Sequence, residues 1–355
     1  MSTPIRRLAG AARRLTTPLL PEDYLTLINP LWSAADPRGR IEAVRHEAPG
    51  AASLLIRPGT GWPGHRPGQW LKVGVDLDGV RHWRTFSLSS PPRSDGRLTI
   101  TVKAAGRVSR HLVHAIRPGT IIRISPAEGD FVLPDPVPER LLFLTAGSGI
   151  TPVMAMLRRL ARGGMPDTVL IHSARTEDEV IFGAELRGLA RRVPAFRLHE
   201  RHTAVHGRVK PAELDDLCPG WAERETWACG PAAMLDEIAA HWPADGGRLH
   251  VERFQPVLNA AGGGEGTEGA EGGRVRFTAS GVETEAGGAT PLLTAGEDAG
   301  ALLPSGCRMG ICHSCVGRLR SGRVRDLRTG RVHGEEGDIV QTCVSAAAGA
   351  VEIEL

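Results

Sequence analysis

Three cysteines lie close together near the carboxyl end of the chain. Cys307, Cys312 and Cys315 follow the spacing C-x4-C-x2-C in the segment SGCRMGICHSC, and Cys343 follows in GDIVQTCVS. A tight loop can supply three thiolates to a metal centre, and a distant strand can supply the fourth that tetrahedral coordination requires. These cysteines therefore constrain the chain to fold around a four-thiolate site.

The spacing is that of a plant-type [2Fe-2S] cluster. Small residues at Gly306, Gly310 and Ser314 let backbone N–H groups approach the cluster sulfurs and adjust the reduction potential. A zinc-holding binding or redox-sensing module is the non-enzyme alternative. Zinc sites favour paired C-x2-C knuckles, however, and the chain has only one such pair.

The flanks of the cysteine loop fit an iron–sulfur protein. TPLLTAGEDAGALLPSG predicts an amphipathic helix that ends at Pro304 and Gly306, and AVEIEL alternates like a closing strand. Residues 274–355 resemble a plant-type ferredoxin domain, which implies an α+β, β-grasp fold. Before it, residues 259–273 are rich in glycine and poor in apolar side chains, so we predict a flexible linker.

The first half of the chain predicts an antiparallel β-barrel at 38–135. Short alternating segments such as ASLLIRP, QWLKVGVDL and RLTITVKAAG are separated by glycine and proline turns. Within this region RTFSLSS resembles the flavin-binding motif R-x-(Y/F)-S of the ferredoxin–NADP reductase superfamily. The resemblance implies that Arg84 pairs with a flavin phosphate and that Phe86, next to Thr85, packs beside the isoalloxazine. Ser87 would form a hydrogen bond near the flavin N5 and help to align hydride transfer.

A second flavin contact is implied by GRVSRHLVHAI at 106–116. Ser109 precedes an apolar helical run, and an N-cap serine leaves backbone N–H groups available to an anion. The segment resembles the superfamily's second flavin-pyrophosphate contact, made here by Gly106, Val108 and Ser109. Two phosphate contacts imply a dinucleotide, so we predict FAD rather than FMN.

Residues 136–258 predict an α/β nucleotide domain with a parallel sheet. RLLFLTAGSGITPVMAMLRRL is an apolar strand, a glycine turn and a helix that Thr151 can cap, with Pro152 at its first position. TAGSGITP resembles the nicotinamide-nucleotide motif of the same superfamily. Gly147 and Gly149 would let the backbone approach the pyrophosphate closely, and Thr151 would lie near the nicotinamide.

The next strand, in TVLIHSARTEDEVIF, ends at the position that reads the adenosine ribose in this superfamily. Ser173 and Arg175 stand where an NADH enzyme more readily places an acidic residue, and Arg201 could add a second positive contact. These residues favour NADPH over NADH.

Two further motifs complete the resemblance. TWACGPAAMLDEI resembles the C-G-P element, which implies that Cys229, followed by Gly230 and Pro231, aligns the nicotinamide C4 with the flavin. HVERFQP resembles the end of such reductase modules and implies that Glu252 and Phe254 lie by the flavin. Cys218 has no role that the sequence supports.

The resemblance covers residues 38–355 and implies an NADPH-dependent oxidoreductase. Electrons would pass from NADPH through FAD to the [2Fe-2S] cluster and then to a terminal oxygenase. LTTPLLPEDYLTLINPLWS, at 15–33, resembles the leader of actinobacterial reductases that serve membrane acyl-CoA desaturases, so a di-iron fatty acyl-CoA desaturase is the predicted acceptor. The reductase component of a Rieske or soluble di-iron aromatic oxygenase is the alternative.

Charge and hydropathy limit the partners and the compartment. The net charge of +3 argues against a dedicated nucleic-acid binder, and no apolar run approaches the length of a membrane span. Arg13 and Arg14 interrupt any secretory signal, so we predict a cytoplasmic protein. Residues 1–37 form an N-terminal extension whose basic amphipathic helix could rest on the inner face of the membrane.

The ferredoxin-like segment also carries a run of arginines after its cysteine loop. Ferredoxin docking surfaces are commonly acidic, and this segment departs from that habit. We predict a basic surface that presents the cluster to an acidic acceptor or an anionic membrane. The arginines are Arg318, Arg320, Arg323, Arg325, Arg328 and Arg331.

Overall fold

The computed structural model describes residues 26–33, 37–77, 79–243, 248–254, 272–306, 310 and 313–355. The basic amphipathic helix predicted before residue 26, most of the predicted linker, Cys307 and Cys312 lie outside the described residues.

The first sheet is antiparallel and has the strand order β4-β3-β6-β1-β2-β5. A bridge between Leu88, directly after β4, and Ile100 of β5 joins the two edge strands and closes the barrel. Alternate residues such as Leu54 and Ile56 of β2 are fully buried, as expected when one face of each strand forms the core. The strands are β1 Arg38–Ala48, β2 Ala51–Pro58, β3 Trp70–Leu77, β4 Val80–Ser87, β5 Leu98–Lys103 and β6 Ile121–Ile124.

The second sheet has the order β11-β10-β7-β8-β9, and β7, β8 and β9 are parallel and in register. The run from Leu141 to Leu144 in β7 is buried throughout, which is typical of a parallel strand covered on both faces. The strands are β7 Arg140–Ala146, β8 Asp167–Ala174, β9 Phe196–His202, β10 Glu225–Cys229 and β11 Leu249–Glu252.

The third sheet is mixed, with the order β13-β12-β17-β14-β15 and with β16 paired to β14. β12 and β17 run parallel, so the AVEIEL segment closes this sheet as predicted. Its core includes Phe277, Leu292 and Ile353, all fully buried. The strands are β12 Gly273–Phe277, β13 Val282–Ala286, β14 Val316–Asp326, β15 Val332–His333, β16 Ile339–Gln341 and β17 Ser345–Glu354.

Seven labelled helices join these strands in the described part of the chain. None of the described helices is long and apolar enough to cross a membrane. They are α1 Arg107–His114, α2 Ile150–Gly163, α3 Gly183–Arg192, α4 Thr203–His206, α5 Leu214–Leu217, α6 Ala232–His241 and α7 Leu292–Asp298. The predicted fold class, a β-barrel, a parallel α/β sheet and an α+β ferredoxin-like domain, is confirmed.

Two details of the third domain differ from the sequence prediction. The helix predicted to continue to Pro304 and Gly306 ends at Asp298, because Gly300 adopts a left-handed conformation with φ of +87°. β12 begins at Gly273, the last residue of the predicted linker, because Gly273 already pairs with Ala286 of β13.

The guanidinium of Arg224 joins the backbones of β7 and β8 in the nucleotide domain. It donates to the carbonyl oxygens of Leu141 (3.2 Å) and Asp167 (3.0 Å) and to the Asp167 carboxylate, while only 2% of Arg224 is exposed. Asp167 also accepts a hydrogen bond from Arg197, but that pair is exposed to solvent.

We expect Arg224→Met to lower the free energy of unfolding by about 2–3 kcal/mol, because it leaves buried acceptors without a donor. Arg197→Met, which breaks an exposed ion pair to the same Asp167, should cost less than about 1 kcal/mol. Urea unfolding of the two variants measures the difference. Equal losses in the two variants would contradict the assigned role of Arg224.

Candidate functional site

The flavin-motif residues lie at the end of β4. Ser87 is buried, and Arg84, Thr85 and Phe86 are half-buried. The Arg84 guanidinium donates to the carbonyl oxygen of Trp83 at 2.7 Å. The Thr85 hydroxyl is buried and has no hydrogen-bond partner within the described residues. Because buried hydroxyls are normally paired, this strand end fits contact with a bound polar group.

The phosphate-binding turn before α1 differs from the predicted cap. The N-cap is Gly106, and Ser109 is the third residue of the helix. The Ser109 hydroxyl accepts hydrogen bonds from the backbone N–H groups of Ala105 and Gly106, both at 2.9 Å. A Cβ atom on Gly106 would meet no atom within 4 Å, so the space beside the turn is open. The turn therefore has room for a phosphate at the helix N-terminus, while the Val108 side chain is buried.

The glycine turn between β7 and α2 begins the nucleotide site. Gly147 has φ of +53°, a left-handed conformation that favours glycine. Nothing within 4 Å would obstruct a Cβ atom there, so the backbone conformation and not a lack of space accounts for the glycine. The predicted cap is wrong. Gly149 is the N-cap, and Thr151 and Pro152 are the second and third residues of the helix, because the chain already turns as a short 3-10 helix at Gly147–Gly149. The buried Thr151 hydroxyl donates to the Ser148 carbonyl oxygen at 2.9 Å.

The carboxyl ends of β8 and β9 bring two predicted nucleotide contacts together. Ser173 and Arg201 are register partners on these parallel strands. Arg201, however, donates to the Glu213 carboxylate and to the His206 carbonyl oxygen (3.4 Å), so much of its charge is compensated. Arg175 is exposed, and its carbonyl oxygen accepts the Ala204 N–H at 3.0 Å, which attaches the loop to α4.

His172 is a buried residue of this region that the sequence reasoning missed. Its Nδ1 atom lies 2.8 Å from the Thr145 hydroxyl, and its Nε2 atom has no partner in the described part of the chain. Burial lowers the pKa of His172 to about 4, so the imidazole is neutral at physiological pH. In the sequence, a histidine inside an apolar strand looks the same whether it faces a binding site or only packs in the core. The sequence therefore could not single out His172.

The buried Cys229 and the half-buried Glu252 are titratable residues that interact electrostatically. Cys229 is fully buried, Gly230 is half-buried and Pro231 is exposed. Burial raises the pKa of Cys229 well above its ordinary value, and the Glu252 carboxylate adds to the effect, so the thiol stays protonated. Burial also raises the pKa of Glu252 to about 7, against the opposing hydrogen bond from the Arg253 N–H.

Phe254, two residues after Glu252, is half-buried. Arg253 between them pairs with Asp236 of α6 at 2.8 Å. The ion pair holds the segment after β11 against α6, which begins directly beyond the C-G-P element.

Two of the four predicted cluster ligands are described, and they are adjacent. Cys315 and Cys343 are 1% and 5% exposed, although they are 28 positions apart in sequence. The Cys343 thiol, hydrogen-bonded beside it, lowers the pKa of Cys315, and the Thr342 hydroxyl contributes in the same direction. Two buried thiols side by side, one easily deprotonated, fit the donor set of an iron–sulfur cluster.

Comparison with known proteins identifies these parts. An oxidoreductase FAD-binding domain matches residues 62–133, an oxidoreductase NAD-binding domain matches residues 143–240, and a 2Fe-2S iron-sulfur cluster binding domain matches residues 275–348. An NADPH oxidoreductase of Mycobacterium tuberculosis (strain ATCC 25618 / H37Rv) is 50% identical, over 95% of this chain and 89% of the relative. The chain belongs to the flavin, NAD(P) and [2Fe-2S] fusion reductases of the ferredoxin–NADP reductase superfamily.

The reductase is similar to further proteins along most of its length. The stachydrine N-demethylase reductase subunit of Rhizobium meliloti (strain 1021) is 30% identical, over 91% of the reductase and 97% of the relative. The solved structure of phthalate dioxygenase reductase, a modular structure for electron transfer from pyridine nucleotides to [2Fe-2S], superposes with a TM-score of 0.61 and 25% identity. That match covers 90% of the reductase and 97% of the solved chain.

These matches confirm that the reductase is an oxidoreductase with FAD, a nicotinamide nucleotide and a [2Fe-2S] cluster as its cofactors. They decide against the zinc-holding module, since the domain around the cysteines is an iron–sulfur domain. The roles of individual site residues remain predictions.

We expect Glu252→Gln to stabilise the protein relative to wild type as the pH rises. The folded pKa of about 7 exceeds the unfolded value of 4.5, so the native state binds more protons between these values. The stabilising contribution of Glu252 is therefore complete below pH 4.5 and is lost as the pH rises through 7.

The thermal midpoints of the two proteins between pH 5 and pH 8 measure this effect. The difference in favour of Glu252→Gln should grow across the range and become constant above it. Glu237→Gln, at an exposed position on α6, is the control and should follow wild type. Parallel curves for wild type and Glu252→Gln would contradict the prediction.

Proposed function

We propose that the reductase delivers electrons from NADPH to a terminal oxygenase, specifically a membrane di-iron fatty acyl-CoA desaturase. The likeness of residues 15–33 to the leader of desaturase-serving reductases carries the choice of acceptor. The described end of that segment supports a docking role, because 79% of Leu27 and 75% of Ile28 are exposed. Exposed apolar side chains in a row are typical of contact surfaces for proteins or membranes.

In this proposal the protein residues bind and align the cofactors, and the bound cofactors supply hydride and one-electron transfer. Arg84 and the turn at Gly106 and Ser109 would hold the flavin phosphates, and Phe86 would pack beside the flavin ring. Ser87 and Cys229 would help to position the rings for hydride transfer. Cys229 acts as a neutral thiol, which is consistent with its raised pKa. The metal ligands are Cys307, Cys312, Cys315 and Cys343.

NADPH is the proposed electron donor. Ser173 and the exposed Arg175 provide a hydroxyl and a guanidinium at the end of β8. Arg201 is a weaker contact than the sequence indicates, since Glu213 already pairs with it. The 50% identical relative, itself an NADPH oxidoreductase, agrees with this choice.

Arg175→Ala should reduce kcat/KM for NADPH by about 10- to 100-fold, the value of one charge-assisted hydrogen bond to a phosphate. It should leave kcat/KM for NADH nearly unchanged, because NADH has no 2′-phosphate. Steady-state reduction of a small dye with each nucleotide measures both constants. Arg191→Ala, at an exposed position on α3, is the matched control. Equal losses with both nucleotides would exclude Arg175 as the 2′-phosphate contact.

A second candidate is the reductase component of a Rieske or soluble di-iron oxygenase. It is supported by the similarity to phthalate dioxygenase reductase and to the stachydrine N-demethylase reductase subunit. The same electron path serves either acceptor, so the acceptor has to be tested directly. A cytoplasmic location, with the N-terminal extension at the inner face of the membrane, agrees with the desaturase and stays a prediction.

The predicted basic surface of the ferredoxin-like domain is partly compensated. Arg320 pairs with Glu354 at 2.6 Å and Arg328 pairs with Asp326 at 2.7 Å. Arg318 and Arg323 are exposed on β14 and remain the best candidates for docking an acidic surface.

We expect the reductase, given NADPH, to support acyl-CoA desaturation by membranes that contain the desaturase, more slowly at high ionic strength. Replacing Arg318 and Arg323 by Glu should slow turnover at low ionic strength and flatten its salt dependence. The same charge change at Arg191 and Arg192 of α3 is the control. NADPH-dependent dye reduction should be equal in all three proteins.

Turnover that is indifferent to ionic strength would contradict the basic docking surface. If desaturation is absent while a soluble oxygenase component is reduced, the second candidate replaces the first. If neither acceptor is reduced although the dye is, both proposed acceptors are wrong.

A further inference from the structure

Two side chains converge on one carbonyl group of the cysteine loop. Gln341 Nε2 donates to the Gly310 oxygen at 2.9 Å, and Arg328 Nη1 donates to the same oxygen at 3.4 Å. Gly310 lies between Cys307 and Cys312 in sequence, so both hydrogen bonds act on a residue of the loop that carries two predicted ligands. Gln341 Nε2 also lies 3.2 Å from His313 Nδ1, on the other side of Cys312.

Gly310 is a point of close approach. Its φ of +70° is left-handed, and a Cβ atom there would come within 2.7 Å of Arg328 Nη1 and 3.1 Å of Val344. The missing side chain therefore lets the loop backbone contact both Arg328 and the residue that follows Cys343.

Arg328 is held in place by its own hairpin. Its Nε and Nη2 atoms donate to the two Asp326 carboxylate oxygens at 3.1 and 2.7 Å, and Asp326 also accepts the Arg328 N–H at 2.8 Å. The Leu327 N–H donates to the Val344 carbonyl oxygen at 2.8 Å, which attaches the hairpin to the strand after Cys343. The guanidinium is thus held between the Asp326 carboxylate and the Gly310 carbonyl oxygen.

The guanidinium of Arg328 lies close to two segments that carry predicted cluster ligands. Its Nη1 atom is 3.4 Å from the oxygen of Gly310, which lies between Cys307 and Cys312 in sequence, and the neighbouring Leu327 bonds to Val344, which directly follows Cys343. Reduction of a [2Fe-2S] cluster adds one electron and no compensating charge. A cation near one ligand sulfur therefore favours the reduced state.

We propose that Arg328 is a positioning residue of the iron–sulfur centre with two separable effects. With Gln341 it anchors the cysteine loop through the Gly310 carbonyl. Asp326 binds Nε and Nη2 of Arg328, and the positive Nη1 end that faces Gly310 raises the reduction potential of the cluster. The inference rests on the cluster that the domain match assigns and not on the identity of the acceptor.

The electrostatic effect is tested by redox titration of the full-length holoprotein, followed by paramagnetic resonance of the reduced cluster. Arg328→Met should make cluster reduction about threefold to tenfold less favourable, where tenfold equals about 59 mV for a one-electron couple. Arg328→Lys keeps the charge and should retain most of the potential. Arg331→Met removes an exposed charge from the same hairpin and should follow wild type.

The anchoring effect is tested by the rate at which an iron chelator removes the cluster from the same proteins. Arg328→Met, Arg328→Lys and Gln341→Leu should lose iron several-fold faster than wild type, because each weakens the hold on Gly310. Gln341→Leu should nevertheless keep its potential, since no charge changes. Faster iron loss with an unchanged potential in Gln341→Leu would distinguish the anchoring effect from the charge effect.

Two outcomes would overturn the proposal. The charge effect is excluded if Arg328→Met has the potential of Arg331→Met, or if Arg328→Lys falls as far as Arg328→Met. The anchor is excluded if Arg328→Lys and Gln341→Leu lose iron at the wild-type rate. Should Arg328→Met fail to take up a cluster, the lysine and leucine variants still decide the anchoring effect.

Discussion

The side-by-side burial of Cys315 and Cys343 is the constraint on which the iron–sulfur domain depends. β14 starts directly after Cys315, and β16 and β17 lie on either side of Cys343. Thr342 donates its N–H (3.1 Å) and its hydroxyl (2.7 Å) to the Cys315 carbonyl oxygen, which holds the two thiols in register. Because the ligands come from segments far apart in sequence, the sheet has to form before the site is complete.

The other two domains place their functional groups by a similar rule, at points where regular structure ends. The flavin motif occupies the end of β4, and the nucleotide turn occupies the step from β7 to α2. Backbone N–H groups at a helix N-terminus lack partners within the helix, so the N-termini of α1 and α2 are suited to the phosphate contacts proposed for them. The rigid sheets behind them keep the contacts in place, and the buried Arg224 is part of that support in the nucleotide domain.

The fold class could be predicted from the sequence because it depends on local patterns. The alternation from Leu54 to Arg57 in β2 corresponds to one buried face, and the apolar run of β7 corresponds to a strand that is buried on both faces. Details that depend on tertiary contact could not be predicted. Glu213 compensates Arg201 from a neighbouring helix, and Arg328 reaches Gly310 across 18 residues only because the hairpin folds back. The helix caps were each misplaced because glycine turns begin the helices before Ser109 and Thr151.

The central claim is that one polypeptide carries a flavin and a [2Fe-2S] relay that a nicotinamide nucleotide can reduce. Anaerobic titration of the purified, fully loaded protein with NADPH, followed by paramagnetic resonance, tests it most directly. The account predicts that the flavin absorption bleaches and that a reduced-cluster signal appears as NADPH is consumed. A protein that contains flavin and iron but develops no such signal on full reduction would contradict the account.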